Sequence, residues 1–379
     1  MTGRAAALAV TELRRTPGRT ILTAGVLSVL LFLTLTLAGL ADALDRGSTG
    51  ALRSLDADVV VFNEEARLQL LRSRVPRPMM LGAAFVDGVG QVGTLALVPT
   101  SAQTPSGRVR VTLVGFSATT PAEPTTLVEG RLPVDGEPGI AAVDVALRAQ
   151  GVQLGDRLIL AGERQVEVVG FVEDTRFLQQ PTVWVPPDVW ARVQVSAFPE
   201  AGFAEQLVGA AVIRTRPSAD PAEVAAAIET EFEGVRAVPL RQAVSAIPGV
   251  DVQRRTFAVL VAMSVAVLSL VVGLLFALLV TERRSRWVTL RALGAARELL
   301  VVTLLVQGLA LWMLALVGGS VGTTLLAKVV PDAMPLELRL PVIGLVGVAS
   351  LVATVIGSAV ALGRVARTDP AAAMSEGGR

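Results

Sequence analysis

The chain has 379 residues, of which 52% are hydrophobic, and a mean hydropathy of +0.60, which is more apolar than soluble enzymes usually are. The formal net charge is +1, so the chain lacks the basic balance of nucleic-acid-binding proteins. It contains no cysteine and no histidine, which excludes disulfides, thiolate nucleophiles, Cys/His zinc sites and a Ser-His-Asp triad. Lys328 is the only lysine, and it does not lie in a Gly-Lys-Ser/Thr sequence, so the chain has no Walker A loop for ATP.

Residues 1–19 precede the first apolar run and include the amphipathic stretch LAVTELRR at residues 8–15. Apolar side chains on one face and charged ones on the other favour a short helix along a membrane surface. We therefore predict an amphipathic N-terminal helix in this segment.

Four long runs contain no Asp, Glu, Lys or Arg, namely residues 20–40, 257–280, 299–326 and 341–362. About 20 apolar residues cross the roughly 30 Å hydrocarbon core, and one charge at a helix centre costs about 3 kcal/mol. The four runs therefore predict four transmembrane helices, one followed by three. The sequence Ala41-Asp42-Ala43 resembles a signal-peptide cleavage site, but the first run exceeds the 7 to 15 apolar residues of such peptides.

The arginines near these runs predict the orientation, because short cytoplasmic flanks carry an excess of basic residues. One set of flanks contains Arg4, Arg14, Arg15, Arg19, Arg283, Arg284, Arg286, Arg291, Arg297, Arg364, Arg367 and Arg379. The short loop 327–340 on the other side contains only Lys328 and Arg339. We therefore assign the N-terminus, the loop 281–298 and the tail 363–379 to the cytoplasm, and residues 41–255 to the outside.

Residues 41–255 carry strand and turn signals throughout. The stretches 58–62 and 109–115 are rich in valine and are predicted strands. Residues 151–174 alternate apolar and polar side chains around turn residues, which is typical of a small β module. Residues 211–238 predict a β-α-β unit, in which the helix begins beside Pro221.

The predicted fold class follows from these elements. It is an α-helical membrane protein with four transmembrane helices, in a 1+3 arrangement, and a large extracytoplasmic α+β domain of two lobes. We expect the 130–200 region to be a β-rich lobe inserted into a domain made from its flanks.

The cytoplasmic loop reads TERRSRWVTLRALGAARELL at residues 281–300. On a helical wheel Trp287, Leu290 and Leu293 share one side, and Arg284 and Arg291 lie near another. Two interpretations fit this pattern. The loop could be a juxtamembrane helix that places its arginines among anionic headgroups. It could instead be a docking helix with Trp287 as apolar anchor and arginines at the rim.

A resemblance favours docking. The 1+3 order of apolar runs around a large outer domain, and the loop between the second and third runs, resemble the MacB/FtsX-type permeases of ABC transporters, the FtsX-like permease family. The loop residues that match the family pattern are Glu282, Arg283, Arg284, Leu290, Arg291, Ala292, Leu293, Gly294 and Ala295. Arg286 departs from it, because many members have an acidic residue there. The tail RTDPAAAM at residues 367–374 resembles the closing signature of the family, and the spacing of residues 52–62 is similar to its DevC-like branch.

The resemblance implies a multi-pass protein of the bacterial inner (cytoplasmic) membrane that acts as a homodimer. Each copy would bind one cytoplasmic ABC ATPase subunit, and ATP would be bound by that partner, so this chain would need no cofactor and hold no metal or catalytic residue. The implied ATPase-coupling residues are Glu282, Arg283, Arg284, Trp287, Leu290, Arg291, Leu293, Gly294 and Arg297. The N-terminal helix would add to the same dock or only anchor the chain to membrane lipids. A membrane-fusion or extracytoplasmic adaptor protein is a further expected partner; nucleic acid is not.

Three residues inside the third run are candidates for helix packing. Gly318 and Gly322 form a small-xxx-small face, which can pack against another helix of this chain or of a second copy. Gln307 is either a functional polar site or part of an interhelical hydrogen bond, and the second is the commoner role.

Three functions are compatible with the sequence to different degrees. The first is a permease subunit that transmits ATP-driven motion to the outer domain for export or extrusion. The second is an FtsX-like regulator of an extracytoplasmic cell-wall hydrolase, without transport. An intramembrane enzyme is disfavoured, because the four runs contain no charged residue that could act as acid or base.

Overall fold

A computed structural model describes residues 17–161, 164–197, 207–282, 297–329 and 338–366. The chain divides into two compact units. The α/β unit comprises Leu44–Arg254, and the helical unit comprises Met1–Ala43 together with Arg255–Arg379.

The helices and strands of the described residues are as follows. In chain order the helices are α1 (Pro17–Arg53), α2 (Arg77–Ala83), α3 (Pro187–Ala197), α4 (Pro221–Glu231), α5 (Leu240–Ser245), α6 (Val250–Glu282), α7 (Arg297–Val329) and α8 (Leu340–Ala366). The strands are β1 (Val59–Asn63), β2 (Val75–Pro76), β3 (Val89–Thr104), β4 (Gly107–Phe116), β5 (Leu127–Gly130), β6 (Ile140–Asp144), β7 (Arg157–Leu160), β8 (Arg164–Val172), β9 (Thr182–Val185), β10 (Leu207–Val208), β11 (Ala210–Thr215) and β12 (Val235–Pro239).

Among the described residues, three helical stretches are long and apolar enough to cross a membrane: Thr20–Arg53, Val250–Leu275 and Val306–Val329. The fourth predicted run lies in α8, which adds a shorter apolar stretch, Leu340–Ile356. Helix α1 extends well past the predicted end at residue 40. Residues 41–53 contain no proline, the residue that would most strongly break the helix before Arg53.

The helical unit has a core of aliphatic side chains from all four long helices. The buried members of this core are Leu27, Leu31, Leu35, Leu268, Val272, Leu311, Ala315 and Val346. The opposite faces leave large apolar side chains exposed, among them Leu270, Leu274, Val321 and Leu345. A surface of this kind is typical of helices whose outer faces contact lipid rather than water.

The α/β unit is built on one ten-stranded sheet in the described part of the chain. Its main strand order is β12-β1-β11-β3-β4-β9-β6-β8-β5, and β7 pairs with β3 and β8. Strands β11 and β12 both lie antiparallel to β1, on either side of it, and α4 connects them. The predicted β-α-β unit is therefore confirmed as a split one, with β1 between its two parallel strands.

The predicted β module in 151–174 is also present, as the antiparallel pair β7 and β8, in which Arg157 lies opposite Glu167. The strands of the 130–200 region do not form a separate sheet. Strand β9 pairs in parallel with β4, which joins the insert to its flanks. This pairing satisfies the backbone groups of β4 that would otherwise lie at an exposed sheet edge.

The packing on one face of this sheet divides into two hydrophobic clusters. There, one hydrophobic cluster lies under α2 and α4, and another lies under α3. The other face carries a single cluster that includes Phe62, Phe116 and Trp184 together with Ala51 and Leu52 of α1. The last turns of α1 are therefore part of the core of the α/β unit.

Candidate functional site

The predicted ATPase-coupling residues flank or fill a segment that lies outside the described residues. Glu282 is the last residue of α6, and Arg297 is the first residue of α7. Residues 283–296 are not described, and with them Arg283, Arg284, Trp287, Leu290, Arg291, Leu293 and Gly294. The coupling role of this loop stays a prediction from the sequence.

The glycine face of α7 packs against α1 of the same chain. A Cβ atom at Gly318 would lie 2.6 Å from Oγ of Ser28, and one at Gly322 would lie 3.0 Å from the ring of Phe32. Between them, a Cβ atom at Gly319 would lie 2.9 Å from the backbone nitrogen of Phe32. The small residues thus allow the two helices to approach closely, which accounts for this face by packing within one chain.

Hydroxyl and indole groups connect helices elsewhere in the helical unit. Oγ1 of Thr34 and Oγ of Ser264 are 2.6 Å apart, and the indole N–H of Trp312 donates to Oγ of Ser350 at 2.9 Å. Gln307 is buried. These contacts pair polar side chains between apolar helices, and interhelical hydrogen bonds of this kind are common where helices pack within a membrane.

Replacing Gly319 with alanine should separate α1 from α7. The added Cβ would overlap backbone atoms of α1, and overpacking of this kind costs about 1–3 kcal/mol. The matched control is Gly344→Ala in α8, where a Cβ atom has nothing within 4 Å. We expect a lower unfolding temperature of the solubilised full chain for Gly319→Ala only. Equal shifts for the two variants would contradict this account of the packing.

The α/β unit contains a second candidate site, which we call the α1 junction: residues 44–53 of α1 and the loop 173–180. The carbonyl of Gly47 accepts a hydrogen bond from the N–H of Gln179 at 2.7 Å, and the N–H of Ala51 donates to the carbonyl of Arg176 at 3.1 Å. Backbone groups in a helix ordinarily bond to the residue four positions away in the same helix. At Gly47 and Ala51, backbone groups of the helix make hydrogen bonds to the backbone of the loop.

Further contacts hold the loop in this position. The N–H of Leu178 donates to the carbonyl of Ser48 at 3.3 Å, and Thr49 lies opposite Phe177 as in an antiparallel bridge. The side-chain amide of Gln179 donates to the carbonyl of Leu44 at 2.7 Å and to Oγ of Ser48 at 2.9 Å. The contact is therefore mostly made by backbone groups, whose positions side-chain rotation cannot change.

Gly50 makes this approach possible. A Cβ atom at this position would overlap the carbonyl oxygen of Asp174 and lie 2.9 Å from the backbone nitrogen of Arg176. Both neighbours are backbone atoms, so they cannot move without moving the loop. A residue with a side chain at position 50 is incompatible with the loop in its present place.

A buried carboxylate anchors the start of the loop in the sheet. Asp144, the last residue of β6, is 1% exposed, and its Oδ2 accepts from the hydroxyl of Thr175 at 2.9 Å. Its Oδ1 accepts from the N–H of Ala146 at 2.8 Å. Nε of Arg176 lies 3.8 Å from Oδ1. Burial raises the pKa of Asp144, and the hydrogen bonds and Arg176 only partly oppose this shift.

The hydrogen-bond chain continues into the core. Oγ1 of Thr175 and Oγ1 of Thr182 are 2.7 Å apart, and Thr182 accepts from the indole N–H of Trp184 at 2.9 Å. Since Trp184 is fully buried, the loop is connected to the centre of the sheet through polar groups that have partners.

Within the α/β unit, α1 is also tied to the start of α6. Nε of Arg254 lies 2.5 Å from Oδ1 of Asp45, and Nη2 of Arg254 lies 3.1 Å from Oδ2. Nη1 of Arg53 lies 3.2 Å from the same Oδ2. This bidentate geometry is the stronger form of an arginine–carboxylate pair.

Sequence reasoning did not find the α1 junction. The signal was weak: Gly47 and Gly50 lie in a stretch with otherwise helical residues, and Asp144 is one of many acidic residues. The local sequence does not show these contacts, because the loop 173–180 is more than 100 residues from the two glycines and about 30 residues from Asp144 along the chain. Among the described residues, no group of three or more Asp and Glu side chains could hold a metal ion.

Family models match both parts of the chain. The MacB-like periplasmic core domain matches residues 20–231, and the FtsX-like permease C-terminal domain matches residues 257–370. No curated protein matches the chain.

Two solved structures that match the chain each cover about half of it. One is the extracellular domain of the noncanonic ABC-type transporter YknZ from Gram-positive bacteria, with 17% identity and a TM-score of 0.34 over 48% of this chain and 98% of that one. Another is the periplasmic region of MacB from Actinobacillus actinomycetemcomitans, with 12% identity and a TM-score of 0.38 over 52% of this chain and 96% of that one.

The core-domain model alone spans more than half of the chain, and the permease model covers its C-terminal helices. The chain therefore belongs to the MacB/FtsX-type permeases of ABC transporters.

Proposed function

We propose that this chain is a permease subunit that transmits ATP-driven motion from a separate cytoplasmic ATPase to its extracytoplasmic domain, and so drives export or extrusion. The observation that carries the proposal is the order of its parts: an apolar helix, a MacB-like core domain, and then the FtsX-like permease segment. In chain order the α/β unit lies between two apolar helices, so motion of either helix can reach it through the continuous chain.

The proposed arrangement has four transmembrane helices, corresponding to the apolar parts of α1, α6, α7 and α8. The N-terminus, the loop 281–298 and the tail lie in the cytoplasm of a bacterial cell, and the α/β unit lies outside. The excess of arginine in the cytoplasmic flanks supports this orientation.

The proposed partners follow from this arrangement. A cytoplasmic ABC ATPase binds ATP and docks on the loop 281–298, and a second copy of this chain completes a homodimer. An extracytoplasmic adaptor acts on the α/β unit. The chain itself is non-catalytic in this scheme.

Single cysteines test the orientation, because the chain has none of its own. Gln165→Cys places a thiol on an exposed position of β8, and Ser285→Cys places one in the predicted cytoplasmic loop. In right-side-out membrane vesicles we expect a membrane-impermeant maleimide to label Gln165→Cys directly and Ser285→Cys only after the membrane is permeabilised. Equal labelling of both positions in sealed vesicles would contradict the arrangement.

Purification of the full chain from its native membrane tests the function. We expect a nucleotide-hydrolysing subunit to purify with it in equal amount, together with an adaptor or a lipophilic cargo. Purification without any ATPase would refute the proposal. Capture of a cell-wall hydrolase in place of adaptor and cargo would instead identify the chain as a regulator of that hydrolase.

A further inference from the structure

We propose that the α1 junction is the joint through which motion of α1 enters the ten-stranded sheet, with Gly50 and Asp144 as its positioning residues. This inference rests on the proposed function and assigns the transmission of motion to particular residues of the α/β unit. Three features of the junction support it.

The first feature is the direct bonding of backbone to backbone. Three hydrogen bonds join the helix at Gly47, Ser48 and Ala51 to the loop at Gln179, Leu178 and Arg176. Because each of these groups belongs to the main chain, a displacement of the helix must displace the loop or break the bonds. A contact made by long side chains would absorb the same displacement through rotamer changes.

The second feature is that the loop has little freedom to adjust. Asp174, Leu178 and Gln179 have φ angles of 53°, 48° and 66°, in the left-handed region that side chains disfavour. Each such residue costs about 1–3 kcal/mol and persists only where the surrounding structure holds it. The bonds to α1 and the close approach at Gly50 are that surrounding structure, so the loop conformation depends on the helix position.

The third feature is the position of the loop in the sheet. It connects the end of β8 to the start of β9, and both strands pair with β6, whose last residue is Asp144. The hydroxyl of Thr175 donates to Asp144 of β6 and is also hydrogen-bonded to the hydroxyl of Thr182 at the start of β9, so both ends of the loop are connected to the end of β6. Displacement of the loop therefore acts on three neighbouring strands together.

The ion pair of Asp45 adds the second helix to the same joint. Arg254 lies at the start of α6 and contacts Asp45, which lies two residues before Gly47 and five before Gly50 in α1. The segments of α1 and α6 within the α/β unit are thus held together where the loop binds.

Gly50→Ala tests the joint, and Gly25→Ala in the same helix is its matched control. Both changes raise helix propensity by about the same amount, but a Cβ atom at Gly25 has nothing within 4 Å. We expect hydrogen exchange of the full chain to become at least tenfold faster in residues 174–180 for Gly50→Ala and to stay unchanged for Gly25→Ala. Unchanged exchange in Gly50→Ala would overturn the inference.

A milder variant distinguishes loss of the junction contacts from a general loss of folding. Gln179→Ala removes the side-chain bonds to Leu44 and Ser48 but keeps the backbone of the loop. We expect a severalfold increase of exchange confined to residues 174–180, with normal exchange in β1 and β12. No increase at all in this segment would also count against the joint.

The second measurement compares exchange in β8 and β9 with and without ATP, in the complex of the full chain with its co-purified ATPase. In Gly50→Ala we expect ATP hydrolysis within twofold of the wild-type rate but an ATP-dependent change of exchange at least fivefold smaller. If exchange in residues 174–180 becomes faster but the ATP-dependent change of exchange in β8 and β9 is not reduced, motion reaches the sheet by another route. Failure of the wild-type chain to bind an ATPase, or to respond to ATP, would refute the proposed function itself.

Discussion

Leu290→Glu should weaken binding of the cytoplasmic ATPase at least thirtyfold while the chain still inserts into the membrane. If the loop 281–298 docks as an amphipathic helix, Leu290 lies on the apolar side with Trp287. A carboxylate there would be desolvated at the contact, and the loss of one central anchor costs about 2 kcal/mol or more, which is roughly thirtyfold in affinity. The measurement is a pull-down of the ATPase with purified full chain, titrated to give an apparent Kd.

Two further variants make this result specific. Leu290→Met conserves volume and apolar character and should bind the ATPase within about twofold of wild type. Gly294→Pro should abolish transport or ATPase binding, because proline cannot follow a preceding helical turn without distorting it. Unchanged recruitment of the ATPase by both Leu290→Glu and Gly294→Pro would favour the alternative in which the loop only contacts lipid headgroups.

Asp144→Ala should lower the free energy of unfolding of the α/β unit by roughly 2–4 kcal/mol. The change leaves the hydroxyl of Thr175 and the N–H of Ala146 without their buried acceptor. Trp184 and Trp190 lie in this unit and are buried, so denaturant unfolding can be followed by their fluorescence in a chain that carries Trp287→Phe and Trp312→Phe. A loss below about 0.5 kcal/mol, the range of ordinary surface substitutions, would contradict the role of Asp144 as an anchor.

The pH dependence of the free energy of unfolding separates the effect of the charge on Asp144 from the effect of its hydrogen bonds. Because burial raises the pKa of Asp144, the folded state holds this proton more tightly than the unfolded state does. Its contribution to stability is therefore fully present below roughly pH 4, the unfolded value, and is lost as pH rises through the folded pKa. Asp144→Asn cannot titrate, so its stability relative to wild type should increase over that pH window. A constant difference across the window would show that the carboxyl pKa is not raised.

Local patterns in the sequence were sufficient for several parts of the fold. The runs without charge predicted where the long helices lie, because transfer of a charged side chain into hydrocarbon is costly at any position in a run. The alternation in residues 151–174 predicted the β module that contains β7 and β8, and Pro221 with the apolar pattern after it predicted α4. In each case the residues that decide the structure are neighbours along the chain.

Other elements were not predicted. Strand β3 is the longest in the described sheet, yet Gly90, Gly93 and Pro99 interrupt its pattern. It is stable because β4, β11 and β7 pair with it. The joining of the 130–200 region to its flanks likewise depends on the parallel pairing of β4 with β9, which brings together residues about 70 positions apart.

The sequence by itself determined the class of this protein and its family, through apolar run lengths, arginine distribution and the loop and tail motifs. Only the tertiary structure decided which glycines and which acid matter in the α/β unit. Gly50 differs from Gly25 in what lies beside it, and Asp144 differs from the exposed acids in its burial and its partners. These differences arise from contacts between distant segments, and the free energy of such contacts depends on a neighbour that the local sequence does not contain.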